Sequence, residues 1–102
     1  MRASVARGLS EELIEDELGT LADLLREHMR ALMPAVAELA GREPRDSVRR
    51  YVAIACVQEA RRKLRMGDGL TLPARTAVVQ RLARSVNALC DHYVSLGGCD
   101  VL

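Results

Sequence analysis

An all-α protein, folded as an antiparallel three-helix bundle, is predicted by three features of the 102-residue chain. Its apolar residues, 49% of the total, are mostly Leu, Ala and Val, with no Phe, no Trp and only Tyr51 and Tyr93 as aromatics. Ala and Leu lose least on entering a helix, whereas the aromatics that favour strands are nearly absent. Apolar positions recur at steps of three and four, the helical period. A chain of this length builds one hydrophobic core and has no room for a second.

Residues 1–9, MRASVARGL, have little periodicity and are expected to form a flexible arm. Helix 1 is expected over about residues 11–40, capped by Ser10 and opened by the acidic turn EELIEDE, which suits the positive end of a helix. Its stripe is Leu18, Leu21, Leu25, His28, Leu32, Val36 and Leu39. The stripe keeps its phase across Pro34, which removes the bond to the Arg30 carbonyl at a cost of about 3 kcal/mol. A kinked or locally broken helix is therefore expected there. Gly41 ends the segment, REPRD forms the loop, and Asp46 is placed to cap the second helix.

Helix 2 is expected over residues 47–66, burying Val48, Tyr51, Val52, Ala55, Cys56 and the stem of Arg62. In RRKLRMGDG, cations meet the negative helix end and Gly67 is suited to a left-handed cap. Helix 3, over residues 72–96, takes Thr71 as cap and Pro73 in its first turn, with a stripe of Val79, Leu82, Val86, Leu89, Tyr93 and Leu96. Gly97-Gly98 stops it, leaving residues 99–102 as a short tail. Residues 10–98 thus form a single helical domain. Short connections between three such helices favour a bundle.

The formal net charge of +1 describes neither a polyanion mimic nor a generally nucleic-acid-seeking protein. The charge is divided, however. Residues 1–43 carry nine acids and five arginines, a balance of −4, and residues 44–102 carry ten bases and five acids, a balance of +5. Such halves suit packing side by side. Cys56, Cys90 and Cys99 are odd in number, show no CxxC spacing and follow no secretory signal, which implies a reducing cytoplasm and thiols used as small apolar fillers. The longest apolar runs, YVAIACV and ALMPAVA, are seven residues each, against the ~20 that cross a bilayer. No membrane association is expected.

Asp91, His92 and Tyr93 are adjacent, but neighbours on a helix point about 100° apart, so adjacency does not make them a triad. His28 stands on the helix 1 stripe. If helices 1 and 3 are neighbours, His28 and His92 approach each other, with Asp91 or Tyr93 in reach, as an acid–base site. The alternative is a structural histidine bonded to a carboxylate or carbonyl. Cys90 and His92 have the wrong spacing for a helical zinc site, so no metal and no cofactor is expected. Neither Cys56 nor Cys90 stands where a thiol would obviously be exposed and activated.

The basic residues Arg45, Arg49, Arg50, Arg61, Arg62, Lys63 and Arg65 of helix 2, with Arg75, Arg81 and Arg84 of helix 3, form a candidate phosphate track. The competing reading is a solvated face paired with the acids of helix 1. Apolar residues outside the stripes, Leu13, Leu24, Met29, Met33, Ile54 and Val78, either complete a fatter core or form a second face for a partner, a homodimer being the simplest.

Three segments, LREHMRALMPAVAELA, VAIACVQEARRKL and VVQRLARSVNALCDHYVSLGG, carry a resemblance. The most specific part is RLARSVxALCDHY, at Arg81 to Val86 and Ala88 to Tyr93. Over about residues 18–98 the chain resembles a family of small actinobacterial proteins of unknown function, loosely labelled natural-product biosynthesis proteins. The resemblance implies a bacterial cytoplasmic protein near specialised-metabolite genes and assigns no active-site residue. The expected function is that of a non-enzymatic accessory protein acting through protein–protein association. A nucleic-acid-binding regulator using helices 2 and 3, and a small enzyme or enzyme subunit with a His28/His92 site, are the alternatives.

Overall fold

A computed structural model describes residues 7–98. It contains three helices: α1 (Arg7–Gly41), α2 (Val48–Leu64) and α3 (Leu72–Ser95). Each packs on the other two, α1 most extensively on α3. Side-chain bonds between elements fix their directions. Arg50 of α2 donates to the Glu43 carbonyl at 3.0 Å, and Arg26, midway along α1, reaches the Met66 carbonyl just beyond α2. Arg49 donates to the Ser95 carbonyl at the end of α3, while Arg75 near its start pairs with Glu15 of α1. α2 is therefore antiparallel to both other helices, and α1 and α3 run the same way.

Helix α1 begins at Arg7, inside the segment expected as an arm, so Ser10 lies within it and is not its cap. The rest of that arm and the expected tail lie outside the described residues. α1 continues unbroken across Pro34. Pro34 itself is exposed, while Met33 and Val36 beside it are buried, so the missing bond faces water and core packing holds the helix through it.

The cap of α2 is Ser47, whose hydroxyl accepts from the Arg50 amide at 3.2 Å; the expected Asp46 stands one residue too early. A serine oxygen at this position satisfies a first-turn amide that has no helical partner. Thr71 caps α3 as expected, accepting from the Ala74 amide, with Pro73 in the first turn. Gly67 takes no left-handed conformation. Gly69 does, at φ +89°, and Gly97 does after α3, at φ +94°.

The core consists of Ala22, Met29, Met33, Val36 and Ala40 from α1, Ala53, Val57 and Ala60 from α2, and Val78, Val79, Leu82 and Leu89 from α3, with Leu96 beyond it. Two predicted faces shift. On α1 the buried arc rotates away from Leu21 and His28, both exposed, toward Met29 and Met33, which join the core instead of a second face. Val78 does the same on α3, whose other stripe residues are buried or partly buried as expected.

The larger correction is on α2. Val48, Tyr51 and Val52 are 75%, 74% and 41% exposed; Ala55 and Arg62 are also exposed, and only Cys56 of the expected set packs against the core. The physical reason lies in the second half of the helix. The Val48–Tyr51–Val52–Ala55 row runs into Gln58, Glu59 and Arg62, whereas Ala53, Val57, Ala60 and Leu64 stay apolar to the end. Only the second row covers the core along the full helix.

Candidate functional site

YVAIACV is apolar on every side of α2, and a helix apolar all round belongs in a buried position. Here α2 lies on the outside of the bundle, so one row of that run faces water. Val48, Tyr51, Val52 and Ala55 follow at steps of three, one and three, which gathers them on one face over two turns. At one end of the row stand the exposed Arg45 and Asp46; at the other, Glu59 pairs with Arg62. The Arg62 guanidinium holds the Glu59 carboxyl below the usual carboxylate range, first through its hydrogen bond and then through its charge. An apolar strip between charged ends has the layout of a protein contact, with an apolar centre and a polar rim.

The base of this face is held firmly. The Ser47 cap and the Arg50 bond to the Glu43 carbonyl tie the first turn of α2 to the preceding loop. Arg49 joins that turn to the last turn of α3 through the Ser95 carbonyl and lies 4.0 Å from Glu43. Val94, 49% exposed, immediately precedes that carbonyl.

The basic residues separate into two groups. Arg49, Arg50 and Arg62 are engaged in the bonds that anchor and flank the α2 face, and Arg75 pairs with Glu15 and donates to the Gly69 carbonyl. Arg61, Arg65, Arg81 and Arg84 are exposed and Lys63 is half-buried. The divided charge is realised sparingly: Glu15–Arg75 at 3.4 Å and Glu43–Arg49 at 4.0 Å pair early acid with late base, while Arg26–Asp68 at 2.7 Å has the opposite sense.

His28 is exposed on α1, whereas His92 and Tyr93 are half-buried on α3 and Asp91 is exposed. Among the described residues, no hydrogen bond or ion pair joins these four groups, and no group of three His, Cys, Asp or Glu side chains is placed to hold a metal. Tyr93 instead lies against Gly98, just past α3: the Gly98 amide donates to its carbonyl at 2.8 Å, and a Cβ on Gly98 would lie 2.4 Å from its ring. Burial pushes the Cys56 thiol above the ordinary range, Lys63 opposing and Glu59 adding to the effect, so it stays a neutral filler near pH 7.

A shallow depression, open to solvent, lies where α1 and α3 pass beyond the reach of α2 and is lined by Leu18, Gly19, Ala22, Asp68, Arg75 and Val79. Its enclosed part has room for about one water molecule. Its two charged groups already face Arg26 and Glu15. No described helix is long and apolar enough to cross a membrane.

Periodicity alone missed the outward row because it counts the row's first half as core. The signal that separates the two rows is their continuation past residue 57, apolar for one and charged for the other. No curated protein and no solved structure matches the chain. A family model does match, over residues 1–98, and by that match this three-helix chain belongs to DUF6415, a family of unknown function.

Proposed function

We propose that the protein is a non-enzymatic helical accessory protein that acts by binding protein through the outward row of α2. The observation that carries this reading is the exposure of Val48 and Tyr51, each about three-quarters open to water on a helix whose first turn is firmly anchored. Large apolar side chains grouped on a rigid element lose little conformational freedom when covered, and aromatic anchors dominate protein contacts. The family resemblance of the sequence supplies the setting we propose for it: bacterial specialised-metabolite biosynthesis.

A photoreactive phenylalanine analogue in place of Tyr51, compared in cells with the same analogue in place of the exposed Arg84, tests the reading. Discrete protein adducts, whether to this chain or to another, are expected from position 51 and not from position 84. Adducts from neither, in cells where the protein is folded and abundant, would overturn it.

A further inference from the structure

We infer that the occupant of the α2 face is an acidic amphipathic helix of another protein, lying along α2 with its apolar residues over Val48, Tyr51 and Val52 and its carboxylates over the basic end of that helix. This rests on the proposed binding role of the face and names the chemistry of its partner.

The first support is where charge is left without a partner. α2 and α3 together carry eight bases against two acids, and α1 carries three bases against eight acids. These helices have the means to neutralise one another, yet among the described residues a single ion pair, Glu15–Arg75, joins α1 to α3 and none joins α1 to α2. The excess gathers in the RRKLR run at the end of α2. Glu59, the acid within that helix, is held by Arg62, and Asp68, the acid that follows it, is held by Arg26. Among the described residues no ion pair reaches Arg61, Lys63 or Arg65. The carboxyl end of a helix carries about half a negative charge, less than one of these cations offsets. At the opposite end of the row Arg45 and Asp46 balance each other. The face is therefore apolar at its start and positive at its finish.

The second support is register. Arg62 lies eleven residues beyond Tyr51, and Lys63 eleven beyond Val52. Eleven residues come within about 20° of three whole turns, so the apolar row and the basic end share one side of α2, about 17 Å apart. Arg65 stands within about 40° of the line through Tyr51. One straight helix of four or five turns spans both. Helices that dock in this way use apolar anchors at steps of three and four, and here the partner's carboxylates stand about three turns from its anchors. A phosphate backbone would meet the cations but bring nothing apolar to cover Val48 and Val52.

The test uses the full chain in cells, with the photoreactive phenylalanine analogue at position 51 and the adducts mapped by mass spectrometry. The crosslinked segment is expected to belong to a different protein, with apolar residues at steps of three and four and Asp or Glu about three turns away. Lys63→Glu with Arg65→Glu sets like charges against that segment and is expected to lower the adduct yield at least about tenfold. Lys63→Gln with Arg65→Gln, milder toward the fold, should give a smaller loss in the same direction. Arg30→Glu with Arg84→Glu makes the same change of charge at exposed residues of α1 and α3 and should leave the yield unchanged. Circular dichroism identifies any variant that fails to fold. Adducts to this chain, to nucleic acid or to a segment without acidic residues would overturn the acidic-helix inference, and adducts to another protein would still leave the binding role standing. A yield that both glutamate pairs lower equally, or that neither lowers, would overturn the inference too. Absence of all adducts from position 51 would remove the binding role with it.

Discussion

Arg26 grips Asp68: the guanidinium, its side chain only 11% exposed, lies 2.7 Å from the carboxylate and also donates to the Met66 carbonyl at 3.0 Å. One residue of α1 thereby closes the connection between α2 and α3 over the stretch where α2 no longer covers the bundle. Removing it leaves a carbonyl and a carboxylate without their partner. A hydrogen bond to a charged group is worth about 1.5–3 kcal/mol, so Arg26→Ala is expected to cost about that much in urea unfolding. Arg26→Lys should recover only part of it, because an ammonium lacks the planar fork that reaches two acceptors. Asp68→Asn, at a half-exposed carboxylate, should cost less than Arg26→Ala.

Three glycines should respond differently to alanine. Gly97 sits at φ +94° after α3, a conformation costing an L-residue roughly 1 kcal/mol. At Gly98 the new methyl would collide with the Tyr93 ring, and forcing atoms into occupied space costs about 1–3 kcal/mol. Gly19, inside α1 with nothing within 4 Å of a built Cβ, should instead gain about 0.5–1 kcal/mol on becoming alanine. Thermal melts of the three variants are expected to show two losses and one gain.

The phase of α2 is open to direct measurement. Ala53 is completely buried, so Ala53→Leu should destabilise by about 1–3 kcal/mol through overpacking. Tyr51→Ala and Val48→Ala, measured in dilute solution, should change stability by no more than about 0.5 kcal/mol. The opposite ranking would show that the helix presents its other face to the core.

Cys56 predicts an alkaline effect. Its thiol titrates higher in the folded chain than in the unfolded one, so its contribution to stability is fully present below the unfolded value and is lost as pH rises from there through the folded value. Cys56→Ala should flatten that part of the pH–stability curve. Peptide-resolved alkylation at pH 8 should modify Cys56 more slowly in native protein than in urea-unfolded protein.

Much of this fold was legible in the chain, and the places where it was not share a cause. The helical class, the Thr71–Pro73 start of α3, its Val79–Leu82–Leu89 face and the stop at Gly97 follow from local chemistry: a cap oxygen, a fixed φ, a single apolar stripe. α1 and α2 carry more apolar residues than one face holds, so several phases satisfy the same periodicity. His28 illustrates the consequence, standing on an apparent stripe yet exposed to water.

The sequence by itself therefore determined that this protein is an antiparallel three-helix bundle, roughly where its helices start and stop, and that it carries more apolar residues than single stripes need. Tertiary structure decided which apolar row turns inward and that Val48 and Tyr51 are left facing outward. The reason is that capping and propensity act within a few residues of chain, whereas the choice among equivalent faces depends on what the other two helices bring against them. On α2 that choice fell to the row whose small alanines permit close approach and whose apolar character lasts the whole length of the helix.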